Sequence, residues 1–354
     1  MLNYLPKILA FLLAVILCLI LANESQNSFR FLEKDDYDIP ERIPVRRHMT
    51  KKKKTYFNLY SGMDEIKRQN SDTIPPRAKN ITAGKLCEGT HLCLSSAFRH
   101  ETRYRIAPDY KMINCVVHKS MSTVITGIMC YLYNRKHIVK VDKQMNMTEW
   151  DKALLCHNRN TFSNLKQKLI DINATDLNGW SLSMITRDPV ERFLSGYVDR
   201  CIRISEGPKT CNGCDKNMTC FILKEYARFK KQTRRGKLVN TIEDRHFYPQ
   251  NWRCDLKTMK EKYEFIRYSS DPSQQLMTDL FKIARRQKVP ENELEYIKSE
   301  LTKNRKTTHT TANSPARDFY EKRLLKNPYL LEYIVRMYFH DFLLFHYDFP
   351  PGFE

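Results

Sequence analysis

The six residues His118-Lys119-Ser120-Met121-Ser122-Thr123 stand between two apolar stretches, Met112 to Val117 and Val124 to Tyr133. Read as strand, loop and helix, the unit has the layout of an anion-binding loop. The first N–H groups of a helix face outward without intrahelical partners, and the helix dipole favours negative charge there. Ser120, Ser122 and Thr123 add hydroxyl donors, and Lys119 adds a mobile cation. The glycines of a Gly-x4-Gly-Lys-Ser/Thr loop are missing, which argues against an ordinary ATPase or GTPase. Taken alone, the segment is equally compatible with a strand followed by a serine-capped helix.

A second junction carries more specific chemistry. Trp180 to Thr186 reads as a buried strand, and Arg187-Asp188-Pro189-Val190-Glu191-Arg192-Phe193-Leu194-Ser195 follows it. Pro189 suits the first turn of a helix running from Val190 to Cys201, because the donor it lacks would be orphaned there anyway. Arg187 falls at the end of the strand, where open α/β sheets bind ligands, and a guanidinium can hold a phosphate through two parallel bonds. Ser195 lies two helical turns further on and reaches the same anion only if the loop folds back over the helix start. Arg192 either joins Arg187 on the anion or pairs with Asp188 or Glu191 at the surface, and the surface role is the simpler expectation.

The elements that position these residues are legible as alternating strands and helices. Glu261 to Tyr268 reads as a third strand, with helices expected over 274–286, 315–325 and 329–345. This alternation predicts an α/β domain with a central, mostly parallel sheet. Its globular part is expected to begin near residue 95, behind a solvated, basic and proline-punctuated stem over 23–95 that contains Lys51 to Lys54.

Ahead of the stem, Ile8 to Ala22 is an uncharged apolar run that reads as a signal anchor or a cleaved signal peptide, with residues 1–7 as a cytosolic tail. The domain over 96–354 then lies in the secretory lumen. Sequons at Asn23, Asn80, Asn146, Asn173 and Asn217 agree with that compartment, as do the ten cysteines that follow Cys18. Several of these cysteines are expected in disulfides. Cys211, Cys214 and Cys220 could alternatively be zinc ligands, and Cys115 and Cys130 could be buried thiols. The chain of 354 residues carries 60 Lys+Arg against 40 Asp+Glu, a net charge of +20, which calls for an anionic partner. At 42% hydrophobic it can bury a real core, and at 28% charged it is not a polytopic membrane protein.

Together, the two junctions resemble the 5′-phosphosulfate and 3′-phosphate motifs of Golgi carbohydrate sulfotransferases. The nearest likeness is to the membrane-anchored family of chondroitin 4-O-, dermatan 4-O- and HNK-1 sulfotransferases and their nematode relatives. That family's Pro-Lys-x-x-Ser/Cys-Thr loop corresponds to Lys119 to Thr123, with His118 in place of the usual proline and Met121 inside the loop. Its Arg-Asp/Glu-Pro-x-x-Arg-x-x-Ser segment corresponds to Arg187 to Ser195. Asp244 to Gln250 with Cys254, and Tyr338 to Tyr347, resemble two further family blocks, so the likeness spans about residues 105 to 350.

The resemblance implies a P-loop-like sulfotransferase domain that uses 3′-phosphoadenosine 5′-phosphosulfate (PAPS), and no metal, to sulfate an acidic glycan, not a nucleic acid. The 5′ site would comprise His118 through Val124, with Lys119 acting on the leaving group. The 3′ site would comprise Arg187, Asp188, Pro189, Val190, Glu191, Arg192, Phe193, Leu194 and Ser195. A histidine is the expected general base, because its ordinary pKa lies near neutrality. His246 is preferred over His157 and His118, with Asp244 expected to orient its ring and Phe247 and Tyr248 to shape a sugar site. The implied location is the Golgi membrane, with a lumenal catalytic domain. The acceptor so implied is of the chondroitin or dermatan type, sulfated at the 4-O position; the alternatives are a secreted glycosaminoglycan-binding protein without catalysis, or a sulfotransferase acting on an HNK-1-like or heparan glycan. A nucleotide-sugar transferase is disfavoured, since the only Asp-x-Asp triplet, Asp36-Tyr37-Asp38, falls in the stem.

Overall fold

The computed structural model describes residues 55–354 except 97, 99–101, 135–155, 157–158, 175, 206, 240, 269–274, 303–310 and 312. The apolar segment 8–22, the cytosolic tail, the Lys51 to Lys54 run, Asn23, Asn146 and His157 therefore lie outside the described residues.

A five-stranded sheet carries the domain. Its strands are β1 (Tyr104–Ala107), β2 (Met112–Cys115), β3 (Thr161–Phe162), β4 (Ser181–Arg187) and β5 (Tyr263–Tyr268), in the order β3-β1-β2-β4-β5. β2, β4 and β5 run parallel, with Cys115 opposite Met184 and Arg187 opposite Tyr268. β1 joins β2 in an antiparallel hairpin, and β3 extends the same side. The hairpin turns through Pro108–Tyr110 and Lys111, whose φ of 47° is left-handed. The expected parallel core is present, and the antiparallel additions are short strands that periodicity did not reveal.

Alternation along the strands feeds two faces. Met112 and Ile185 pack with Ile125, Ile128 and Met129 of helix α1 (Ser122–Tyr133), and with Leu280 and Ile283 of helix α5 (Gln275–Arg286). Ile113, Leu182 and Met184 face the opposite way, toward Cys254, Leu256 and Phe345. This is the period-2 logic of a strand buried on both sides. A third cluster joins helix α2 (Pro189–Tyr197), α3 (Met218–Arg234), α4 (Ile242–Phe247), α6 (Pro315–Leu325) and α7 (Pro328–Leu344). α7 is buried over most of its length, from Leu330 through Phe342.

Residues 55–95 correct the expectation of a solvated stem up to residue 95. Ile66 and Leu86 are in the core, and the Ala83 N–H donates to the Phe353 carbonyl at 2.9 Å. Arg77 lies over the Phe353 ring at 3.6 Å and pairs with Glu332 at 3.1 Å. The segment escaped notice because its helices, Met63–Gln69 and Ala83–Cys87, are 7 and 5 residues long, too short to show a period.

All ten downstream cysteines are paired: Cys87–Cys93, Cys115–Cys254, Cys130–Cys156, Cys201–Cys211 and Cys214–Cys220. Cys115 and Cys130 are thus not free buried thiols. The three cysteines at 211, 214 and 220 are consumed by two disulfides, which removes them as thiolate ligands.

Candidate active site

Parallel pairing of β2 and β4 brings the two sequence junctions to one edge of the sheet. β2 runs into Val116-Val117-His118, and the chain then turns through Lys119 and Met121, both left-handed with φ of 68° and 55°. Met121 is the N-cap residue of α1. Its side chain makes no cap bond, so the first-turn N–H groups of Ser122 to Val124 are left for water or a ligand. Ser120 is buried, while Met121, Ser122, Thr123 and Val124 are partly exposed.

At the second junction, Asp188 accepts from the Glu191 N–H at 2.9 Å and caps α2, with Pro189 in its first turn. Its carboxylate is therefore spent on the helix, and burial raises its pKa. Val190, Phe193 and Leu194 are core residues. Ser195 is buried about 9 Å along the axis from Pro189, at 1.5 Å per residue.

Arg192 takes neither of the roles open to it in the sequence. It is fully buried, and its guanidinium donates to the carbonyls of His246 at 3.0 Å, Phe247 at 3.5 Å and Tyr248 at 2.6 Å. It buttresses the segment that carries His246. Gly196 allows the same approach, since a Cβ there would lie 3.1 Å from the Phe247 ring.

The two cations meet through the backbone. Arg187 Nη1 donates to the Lys119 carbonyl at 3.1 Å, while Nη2 pairs with Glu191 at 3.1 Å. Glu191 is shared with Arg317 at 2.8 Å, and the Tyr268 ring lies 4.9 Å from the Arg187 guanidinium carbon. Burial pushes the Arg187 pKa down, and Tyr268 and Glu191 oppose that shift. The Lys119 ammonium is ion-paired with Asp199, a carboxylate 1% exposed that also accepts from Arg203 Nε at 2.8 Å. Burial lowers the Lys119 pKa, and Asp199 works against it.

Gln250 spans both junctions. Its Oε1 accepts from the Arg187 N–H at 3.0 Å and the Ser120 hydroxyl at 3.2 Å, and its Nε2 donates to the Arg187 carbonyl at 2.8 Å. Asp341 of α7 fixes the turn beneath it, accepting from the N–H groups of Gln250 and Asn251 at 2.8 Å each. Burial raises the Asp341 pKa, and Arg192 together with these bonds counters it. Tyr338 donates to the Phe247 carbonyl at 2.7 Å, and Tyr347 meets Thr186, next to Arg187, at 3.2 Å. The C-terminal block that resembles a family signature is thus the brace of the site.

His246, partly exposed, faces His118 with ring centroids 4.8 Å apart. His118 is 8% exposed, and its buried Nδ1 has no hydrogen-bond partner among the described residues. Burial, then His246, Arg253, Arg103 and Arg245, hold its pKa well below the ordinary histidine value. His118 is therefore neutral at neutral pH.

The neighbours expected to serve His246 do other work. Asp244 is buried as the acidic member of a capping box with Thr241 and is paired with Arg228. Phe247 and Tyr248 are fully buried against Phe221 and Phe229, with Tyr248 donating to the Val239 carbonyl at 2.9 Å, so they shape core and not a sugar site. Asp199 and Arg317 were not singled out from sequence, because neither belongs to a local motif. Gln250 closes the Asp244 to Gln250 stretch, whose sequence gives it no evident role. Among the described residues, no group of three or more His, Cys, Asp or Glu side chains is gathered for a metal ion.

Of the sequons, Asn80 and Asn173 are exposed. Asn217 caps α3, and its Nδ2 donates to the Gln69 carbonyl at 2.7 Å and Asp72 at 2.9 Å. A glycan there would displace both bonds.

The ends of two parallel strands thus bring together two helix N-termini, a lysine and an arginine, groups whose chemistry suits anions. Residues 102–348 match the Sulfotransferase family, and the chain belongs to that family of enzymes. It is 60% identical over 359 residues to the uncharacterized Caenorhabditis elegans protein C18B2.2, covering 100% of each chain. The C. elegans protein vep-2 is 44% identical over 265 residues, 74% of this chain and 82% of its own. Carbohydrate sulfotransferase chst-1 of the same species is 26% identical over 308 residues, 84% of this chain and 89% of its own. No solved structure matches the chain.

Proposed function

We propose that this sulfotransferase moves a sulfuryl group from PAPS to a hydroxyl of an acidic glycan, of the chondroitin or dermatan class and at the 4-O position. The observation that carries the reading is the Arg187 guanidinium donating to the Lys119 carbonyl at 3.1 Å. It ties the cation of the 3′-phosphate motif to the backbone of the 5′-phosphosulfate loop. The similarity to a carbohydrate sulfotransferase supports a sugar acceptor. The five disulfides support a lumenal domain, which we place in the Golgi behind an anchor at residues 8–22.

The residues present fit the donor. Ser122 to Val124 offer first-turn N–H groups to a 5′-phosphosulfate, and Arg187, at the start of α2, offers its guanidinium to a 3′-phosphate, whereas Ser195 is buried about two turns further along α2. PAPS, when bound, supplies a sulfuryl group on a phosphate leaving group. Sulfuryl transfer resembles phosphoryl transfer, with a loose in-line transition state whose charge the protein must stabilise. Lys119 places its ammonium against the charge that grows on the leaving oxygen, and it must exchange part of its bond to Asp199 to do so. His246 takes the acceptor proton. His118, its ring 4.8 Å away, flanks His246 on that face.

The test is to incubate the full chain with labelled PAPS and a panel of desulfated chondroitin, dermatan, heparan and HNK-1-type glycans, then map the product. Label at the 4-O position of chondroitin or dermatan is expected. Glycan binding without transfer would establish the non-catalytic alternative, and label confined to another glycan would reassign the acceptor.

A further inference from the structure

Gln250 is fully buried, yet every polar atom of its carboxamide is committed to the two donor-binding junctions. A glutamine needed only to fill space would be replaceable by an apolar side chain, and burying an amide is costly unless its bonds are made. Here they are made, and to parts of the chain that no regular sheet bond joins. Ser120 lies beyond the end of β2, and Arg187 ends β4. The ladder between those strands, as paired, extends only to Cys115 and Met184. Beyond it the carboxamide takes over. The amide orientation is dictated by the backbone, since the Arg187 N–H requires an oxygen and its carbonyl requires a donor.

Resting on the reading that the site takes a nucleotide with separate 5′ and 3′ anions, we infer that Gln250 is a positioning residue that sets the spacing between the two junctions. It thereby makes occupation of one favour occupation of the other. Asp341 supports this by fixing the turn through two N–H bonds and a third from Asn251 Nδ2 at 2.6 Å. Removing the carboxamide leaves each junction able to bind its own anion, because neither Arg187's fork nor the α1 N-terminus depends on it. What is lost is the fixed distance between them.

The experiment compares adenosine 3′,5′-bisphosphate, which engages both junctions, with AMP, which engages only the 5′ loop. Calorimetry on the full chain gives the affinity ratio of the two ligands for wild type, Gln250→Ala and Gln250→Glu, with thermal melts recording folding. The expected result is a bisphosphate advantage that falls at least tenfold in Gln250→Ala, while AMP affinity stays within about twofold. Gln250→Glu keeps an acceptor for Ser120 and the Arg187 N–H but loses the donor to the Arg187 carbonyl, so its ratio should fall between. It also stands in as the test if the alanine variant does not fold.

A ratio unchanged in both variants overturns the inference and leaves the proposed function intact. Equal losses for AMP and bisphosphate overturn it as well, since that is the mark of general damage. A wild-type protein that binds the two ligands alike overturns the 3′-phosphate reading, and the inference with it.

Discussion

Lys119 is the residue on which the proposed chemistry rests most directly, and the structure separates its two jobs. Its side chain is 9% exposed and paired with an almost fully buried carboxylate, so deleting it disturbs stability as well as catalysis. Breaking a buried pair outright costs about 3–5 kcal/mol, because a charge is left uncompensated. Asp199 is not left so, since Arg203 donates to its other oxygen at 2.8 Å. The expected stability loss for Lys119→Met is therefore nearer the ~1–3 kcal/mol of a lost hydrogen-bond partner. Methionine keeps an apolar stem of similar length and removes the charge with its hydrogen-bond donors. The catalytic loss is of a different kind. Removing one preorganised donor from a developing oxyanion costs roughly 10²–10³-fold in turnover, about 2.7–4 kcal/mol. Steady-state transfer from PAPS, with binding of the desulfated nucleotide measured in parallel, reads this directly. Turnover should fall by those two to three orders while product affinity changes far less, since the charge at issue develops only in the transition state. Turnover that survives within about threefold, on the order of 0.7 kcal/mol, would refute the leaving-group role.

Three further outcomes are expected. Arg187→Ala should weaken adenosine 3′,5′-bisphosphate binding by about 2–4 kcal/mol, the range for truncating a desolvated charge pair; undiminished affinity by calorimetry would take Arg187 out of the site. His246→Ala should lower turnover about 10²–10⁴-fold with donor affinity kept and the acidic limb of the pH–rate profile lost; if donor binding collapses in step, His246 is structural. The lowered pKa of His118 makes stability depend on pH. As pH falls through the unfolded value near 6.5, the unfolded chain takes up a proton that the folded chain refuses, so stability is present above that pH and lost below it. The loss accumulates as pH falls from about 7.5 toward about 5.5. Urea titrations across that range should show the slope in wild type and a flatter curve in His118→Gln, and parallel curves would mean that folding does not lower the His118 pKa.

The strands that mattered were legible because each is a short apolar run ending at a chemically marked junction. Met112–Cys115, Ser181–Arg187 and Tyr263–Tyr268 fall within two residues or so of where composition places them. Helix α6 spans the expected 315–325, where a serine cap and Pro315 mark its start. What escaped was whatever depends on distant partners. Tyr104–Ala107 becomes a strand because a turn at Lys111 folds it onto β2, and of two short helices before residue 95, Met63–Gln69 packs on α6 while Ala83–Cys87 packs on α7 and bonds to the C-terminus. Arg192 illustrates the limit best. Its spacing on a helix beginning Asp-Pro fits a surface ion pair, and only the chain at 246–248, arriving from more than fifty residues away, turns it into a buried donor to three carbonyls.

That arrangement explains why the last helix, which touches no proposed ligand, resembles a signature as closely as the loops do. A phosphate site built on loops is only as well placed as the groups that hold the loops. Here Tyr338 holds the Phe247 carbonyl, Asp341 holds the Gln250 turn, and Tyr347 meets Thr186 beside Arg187. Each is a buried or partly buried polar contact from one C-terminal stretch to a different wall of the site. Burying Asp341 is unfavourable in itself, as its raised pKa records, and apolar substitution would relieve that cost while leaving two backbone N–H groups unpaired. The Cys115–Cys254 disulfide does covalently, between β2 and the chain just after Gln250, what these bonds do reversibly. Catalysis by positioning and charge has little covalent chemistry to contribute, so it depends on how firmly the loops are held.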